Sequence, residues 1–86
     1  MIESRTIYSI KDEDGERTTI TLDKLIADVL QASFSDVHSW IQRAYASVAK
    51  SYPEISRRKK GDIVRVLSVK EAQKFSLYKE LIDRTI

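Results

Sequence analysis

The chain has 86 residues, of which 42% are hydrophobic and 33% charged, a balance typical of one folded domain. It contains no cysteine and one histidine, His38, which excludes disulfide scaffolds, cysteine-ligated metal sites and thiol catalysis. No apolar run approaches the ~20 residues of a membrane helix, and residues 1–5 do not resemble a signal peptide. We expect a single small domain over residues 1–86, soluble and cytoplasmic, whose small core favours a homodimer.

The positive charge is concentrated in the C-terminal part of the chain. The formal net charge of +2 divides into −2 for residues 1–22, −1 for residues 23–49 and +5 for residues 50–86. It is densest at Arg57-Arg58-Lys59-Lys60. Such a run attracts polyanions, although a solvated surface loop can carry the same residues.

Residues 1–22 have the pattern of a β-hairpin. Two segments rich in β-branched and aromatic residues, 5–10 and 17–22, flank Asp12-Glu13-Asp14-Gly15. Asp and Gly are suited to tight hairpin turns. Apolar residues alternate with threonines in 19–22, which is the period of a strand with one buried face. The turn lacks the remaining ligands of a calcium loop, so no metal is expected.

Residues 23–49 predict two helices. Asp23 is expected to cap the first helix and Ser35 the second, and the second ends before Pro53. The apolar positions at helical spacing are Leu22, Leu25, Ile26, Val29 and Leu30, then Val37, Trp40, Ile41, Ala44, Tyr45 and Val48.

The basic C-terminal segment, 57–86, predicts one long helix or two shorter ones. Gly61 interrupts the basic run, and Asp62 is expected to cap the helical part. The predicted fold class is therefore α+β: an N-terminal β-hairpin followed by three or four helices, including a helix-turn-helix-like pair at 23–49.

The chain is poorly equipped for catalysis. His38 has no identifiable nucleophile as a partner, and both glycines stand alone, so there is no phosphate-binding glycine loop. The carboxylates belong to no recognisable acid–base or metal motif. We expect a non-catalytic protein without a cofactor.

The segment from Asp23 to Gln42 has the pattern of two short helices that cross at a steep angle. A small residue stands at the expected crossing, with apolar residues around it. These positions are Ile26, Ala27, Leu30, Val37 and Trp40. In this pattern the segment resembles the helix-turn-helix DNA-binding motif. It departs from the motif at Gln31, where glycine is usual because the turn needs a positive φ. An ordinary helical hairpin would show similar spacing.

The resemblance implies a DNA-reading surface on the second helix. Gln42 would pair with an adenine edge and Arg43 with guanine or phosphate, while Ser35 and the helix N-terminus would hold a phosphate. The basic run would add phosphate contacts. The DNA-binding residues expected on this basis are Ser33, Ser35, His38, Ser39, Gln42, Arg43, Arg57, Arg58, Lys59 and Lys60.

A second family offers a competing interpretation. Arg17-Thr18-Thr19-Ile20-Thr21-Leu22-Asp23, followed by an amphipathic helix and then another, is similar to a ribbon-helix-helix repressor. This resemblance implies that the strand pairs with its copy across a dimer and enters the major groove, with Arg17, Thr19 and Thr21 pointing outward. The first helix is shorter than in that family, and segment 5–10 offers a local partner strand instead.

Both resemblances predict a sequence-preferring protein that binds duplex DNA, as a transcriptional regulator or an accessory factor of a mobile element. The alternative is a protein-interaction module, such as an antitoxin, an adaptor or a phage- or plasmid-encoded inhibitor. In that case Trp40 and Tyr45 would be interface anchors or simply core. Tyr8, Phe75 and Tyr78 would then belong to a dimer or partner surface. A connected positive face favours DNA, and an exposed apolar patch favours a protein partner.

Overall fold

The computed structural model describes residues 5–85 as a two-stranded antiparallel sheet followed by four helices. The elements are β1 (Arg5–Lys11), β2 (Arg17–Asp23), α1 (Lys24–Ser33), α2 (Val37–Ser51), α3 (Arg57–Ala72) and α4 (Ser76–Thr85). The predicted α+β class with an N-terminal hairpin is confirmed, and the C-terminal segment forms two helices. Within the described range, no helix is both long enough and apolar enough to cross a membrane.

The hairpin pairs in a register that separates an apolar face from a polar one. Arg5 lies opposite Asp23, and Lys11 lies opposite Arg17. The buried residues Ile10, Ile20 and Leu22 all have even numbers. Since successive side chains of a strand point to opposite faces, the odd-numbered residues of both strands face away from the core.

The hairpin turn is organised by Asp12 and Gly15. Oδ1 of Asp12 accepts hydrogen bonds from the backbone N–H groups of Asp14 and Glu16, each at 2.9 Å. Gly15 has a φ of 81°, a conformation that residues with a side chain adopt at a cost. The turn expected at residues 12–15 is confirmed, and Glu16 takes part in it.

The junction between α1 and α2 differs from the expected one. Helix α1 continues through Gln31 and ends at Ser33, and no non-glycine residue among those described has a positive φ. Asp36, not Ser35, caps α2, because its Oδ1 accepts a hydrogen bond from the Ser39 N–H at 3.0 Å. Asp23 is the N-cap residue of α1, as predicted, although its side chain accepts no capping hydrogen bond.

Helix α3 begins six residues earlier than expected. Ser56 caps it by accepting a hydrogen bond at Oγ from the Lys59 N–H at 3.1 Å, so the basic run forms the first turn of the helix. The predicted cap at Asp62 is wrong because that residue lies inside α3. Gly61 is also helical, and a Cβ there would lie 3.3 Å from Cδ1 of Ile20. The glycine therefore permits close packing of α3 against β2.

The core lies between the inner face of the hairpin and the helices packed on it. Tyr45 is only 1% exposed and belongs to this core. The ring of Trp40 lies 5.8 Å from that of Phe34, which meets Phe75 edge-on at 5.7 Å. Five aromatic residues are partly buried against the core, namely Tyr8, Phe34, Trp40, Phe75 and Tyr78, whereas Tyr52 is exposed.

Candidate nucleic-acid interface

Two of the predicted DNA-reading side chains on α2 are bonded to the hairpin. Nε2 of Gln42 donates to the carbonyl oxygen of Lys11 at 2.8 Å, and its Oε1 accepts from the Lys11 N–H at 2.9 Å. His38 lies one helical turn earlier and donates from Nε2 to the carbonyl oxygen of Ser9. Both polar atoms of the Gln42 amide are thus used inside the protein, and a contact with an adenine edge would have to break these bonds.

The remaining predicted residues around α2 are not gathered into one surface. Ser33 donates from Oγ to the carbonyl oxygen one turn earlier in α1, at 2.8 Å. Ser35 is exposed between the helices, and Ser39 donates from Oγ to Oδ2 of Asp36 at 2.6 Å. Arg43 is exposed and lines a groove between α2 and α3. Only the last of these side chains offers a free charge.

The N-terminal end of α2 carries a carboxylate. Hydrogen bonds from the side chain and backbone of Ser39 lower the pKa of Asp36, with smaller contributions from the charges of His38 and Arg43. An ionised carboxylate at a helix N-terminus occupies the position that a bound phosphate would take. The helix end expected to hold a phosphate beside Ser35 therefore carries a negative charge of its own.

The basic run is divided between ion pairs and solvent. Arg57 bonds Oδ2 of Asp12 at 2.8 Å. Lys60 is buried and pairs with Glu13 in the hairpin turn. Residues 58–59 are exposed, and no ion pair engages them within the described part of the chain.

The two ion pairs hold α3 against the hairpin turn. The hydrogen bond from Lys60 lowers the pKa of Glu13, and the same bond raises the pKa of Lys60. Desolvation alone would raise the pKa of Asp12. Hydrogen bonds from the backbone N–H groups of the turn, together with the charge of Arg57, outweigh it, so the pKa is lowered. Half of the basic run thus attaches a helix rather than facing a partner.

The two edges of the hairpin differ in how their backbone groups are used. The N–H and C=O of Lys11 and the C=O of Ser9 face α2 rather than β2. In an antiparallel pair the residues opposite them must also face outward, so the N–H and C=O groups of Arg17, Thr19 and Thr21 point away from β1. Within residues 5–85 no other element bonds these groups. We call this row of backbone groups the open edge.

The side of the hairpin turned away from the core is polar and basic. Its side chains are Arg5, Ile7, Ser9 and Lys11 of β1 and Arg17, Thr19, Thr21 and Asp23 of β2. We call this surface the outer face. Its three hydroxyl groups stand between its cations, none of which forms an ion pair in the described part of the protein. Asp23 contributes its one carboxylate.

A groove of about 450 Å³ runs beside the open edge, between β2 and α3. Thr18–Thr21 form one wall, and Arg57, Arg58 and Arg65 stand on the other. Arg65 is paired with Asp62, which also lines the groove. The open edge is therefore bordered by a wall with an excess of positive charge.

Sequence reasoning found part of the outer face and missed the rest. The outward direction of Arg17, Thr19 and Thr21, implied by the ribbon-helix-helix resemblance, is confirmed. Arg5 and Lys11 were not singled out. The signal that could have found them is the strand period, which places both at odd positions of β1 on the same face as Arg17.

Comparison with protein-family models, with curated proteins and with solved structures finds no match to this chain. In the part of the chain that the structure describes, the outer face and the open edge combine cations without ion pairs, hydroxyl groups and backbone groups that no other element bonds. The predicted reading side of α2 is instead bonded to the hairpin.

Proposed function

We propose that this protein binds duplex DNA without catalysis, as a regulator or accessory factor, through the outer face of the hairpin. The observation that carries the proposal is the composition of this face, where three cations that form no ion pair within residues 5–85 stand around three hydroxyl groups. Arg and Lys supply the phosphate contacts on which affinity depends, and hydroxyl groups can bond base edges. A two-stranded ribbon fits a major groove of about 12 Å.

The open edge supports a homodimer in which β2 pairs with β2 of a second copy. In an antiparallel pair centred on Ile20, Thr19 lies opposite Thr21 of the other copy, and Arg17 lies opposite Asp23. The backbone groups of these residues face outward, so opposite residues can exchange hydrogen bonds. The Arg17 and Asp23 charges attract at both ends of the pair. The strand is thus complementary to itself.

In such a dimer only the two paired β2 strands would enter the groove, while the β1 strands would lie at its rims. Four strands spaced about 4.8 Å apart put the two outer β1 strands about 14 Å from each other, slightly more than the groove width of about 12 Å. The paired β2 strands would present Arg17, Thr19 and Thr21 to the bases. Arg5 and Lys11 of each copy would lie at the groove rims beside the phosphates. If the three cations of each copy, Arg17 included, neutralise about six phosphates in total, the slope of log affinity against log salt is near −5.

Fluorescence anisotropy of a labelled duplex, titrated at about 50 and 200 mM salt, tests the proposal. We expect micromolar binding that weakens steeply with salt. Arg17→Gln should lower affinity about three- to tenfold and reduce the steepness of the salt dependence by about two units, one for each copy. Arg84→Gln is the matched control, because Arg84 is an exposed arginine on α4. Absence of binding at the lower salt concentration contradicts the proposal.

A protein-interaction module is the second candidate function. Ile7 is 68% exposed on the outer face, and Val66 is 67% exposed close to β2. An open strand edge beside exposed apolar side chains can accept a strand from a partner protein. Three results together would favour this function: the protein sediments as a monomer, it does not bind DNA at low salt, and it captures a partner that supplies a strand.

A further inference from the structure

A second groove lies between α2 and the C-terminal half of α3, away from the hairpin. It has a volume of about 400 Å³. Its walls are Trp40, Arg43, Ala44 and Ser47 of α2, then Leu67, Lys70 and Glu71 of α3 with Lys74 just beyond. Both rows follow the spacing i, i+3, i+4, i+7, so each is one face of a helix about 10 Å long.

The floor and the rim of this groove differ in chemistry. Trp40, Ala44 and Leu67 give an apolar floor that remains partly exposed. Arg43 and Lys70 are exposed on the rim, and neither has an ion-pair partner within residues 5–85. The remaining charges face each other, because Lys74 bonds Glu71 at 3.0 Å. The groove therefore presents an apolar strip between two free positive charges.

We infer that this groove binds a short, acidic amphipathic helix of a partner protein. Its carboxylates would meet Arg43 and Lys70, and its apolar side chains would cover Trp40 and Leu67. The charge of the rim selects against a basic segment. A nucleic acid backbone could satisfy the rim, but its phosphates would leave the apolar floor exposed to water. A helix laid in a groove supplies both kinds of contact.

Trp40 is the sole tryptophan of the chain and lies in this groove, so its emission reports directly on the occupant. The probe is a synthetic helical peptide of about 14 residues, with leucines at i, i+4 and i+7 between flanking glutamates. A second peptide carries lysines in place of the glutamates. We expect the acidic peptide to shift the Trp40 emission to the blue, with saturation and a dissociation constant of about 10–100 µM. The basic peptide should cause no such shift.

Charge reversal provides the decisive comparison. Arg43→Glu combined with Lys70→Glu should weaken the acidic peptide about tenfold and create binding of the basic peptide. Lys79→Glu combined with Arg84→Glu is the matched control, since these cations are exposed on α4 outside the groove. Because all four side chains are exposed, circular dichroism should show both variants folded. Equal response to both peptides, no saturable response up to about 1 mM, or no effect of the groove variant overturns the inference.

DNA binding is measured on the same variants to separate this groove from the proposed function. The groove variant should bind the labelled duplex within about threefold of the control variant, and Arg17→Gln should leave peptide binding unchanged. If the groove variant loses duplex affinity as Arg17→Gln does, and the acidic peptide does not bind, the groove is part of the DNA interface and the inference is wrong. Failure of DNA binding alone leaves the peptide result standing.

Discussion

The two edges of the hairpin differ in whether another element bonds their backbone groups. The C-terminal end of the β1 edge is closed, because Gln42 and His38 bond the backbone of Lys11 and Ser9. The edge of β2 has no such cover in the described part of the chain and lies beside a groove rich in arginine. Proteins usually protect exposed strand edges, since an unprotected edge invites another strand. An edge left open beside a protected one is consistent with the proposed pairing of β2 with a second copy.

This difference changes the interpretation of the polar residues on α2. His38 and Gln42 are one turn apart, which in a helix-turn-helix protein suits the reading of adjacent bases. Here the same spacing places His38 and Gln42 beside Ser9 and Lys11, whose backbone groups lie about 7 Å apart along β1. The residues predicted to read DNA are therefore used to hold the hairpin, and the hairpin presents the polar surface.

The largest expected effect comes from proline at neighbouring positions of β2. Ile20→Pro removes an N–H that faces β1 and a buried side chain, and should destabilise the fold by more than about 3 kcal/mol. Thr19→Pro removes an N–H of the open edge, so it should cost the monomer only about 1 kcal/mol but abolish dimer formation. Urea unfolding measures the stability of both variants, and sedimentation measures whether they form the dimer. Similar destabilisation by both substitutions would contradict the assigned direction of the backbone groups.

The closed edge is tested by Gln42→Ala. Loss of its two hydrogen bonds to Lys11 should lower the free energy of unfolding by about 1–2 kcal/mol, because water can replace part of the lost bonding at this exposed site. Gln73→Ala is the control, as Gln73 is exposed and its side chain forms no hydrogen bond among residues 5–85. A stability equal to that of the control would mean that α2 does not protect β1.

Acid should loosen the attachment of α3 to the hairpin turn. The pKa values of Asp12 and Glu13 are lowered in the folded protein from usual values of 3.8 and 4.5. A lowered folded pKa contributes stability above the unfolded pKa, and this contribution is lost as the pH falls through the folded value. The urea concentration at the unfolding midpoint should therefore decrease when the pH falls below about 5. Glu13→Gln should weaken this dependence of stability on pH. A variant whose pH dependence equals that of the parent would count against the ion pair.

The smallest of these effects is expected at the turn that joins the two edges. Gly15→Ala places a Cβ at a φ of 81°, which costs about 1 kcal/mol although no neighbouring atom lies within 4 Å of that Cβ. Thermal unfolding, monitored by circular dichroism, measures this loss of stability. Gly15→Asn should recover part of the loss, since Asn tolerates this conformation better than Ala. An Ala variant as stable as the parent would show that the turn relaxes.

The sequence determines the elements of this fold better than it determines the partners of the polar side chains. Strand period and turn residues predict the hairpin, because they depend on residues close in the chain. The role of Gln42 depends on Lys11, 31 residues away, and no local pattern indicates that contact. The start of α3 was misplaced for a different reason. Ser56 and Asp62 are both suitable caps. The contacts that accompany the earlier start are the packing of Gly61 against Ile20 and the ion pairs of Arg57 and Lys60 with the hairpin turn, which join residues far apart in the chain.

The most direct test of the central claim is one anisotropy titration of a labelled duplex with three proteins: the parent, Arg17→Gln and Gln42→Ala, under conditions where all are folded. The claim is that the hairpin, rather than α2, contacts DNA. It predicts about three- to tenfold weaker binding for Arg17→Gln and parental affinity for Gln42→Ala. Loss of affinity or of sequence preference in Gln42→Ala, with Arg17→Gln unaffected, would contradict it.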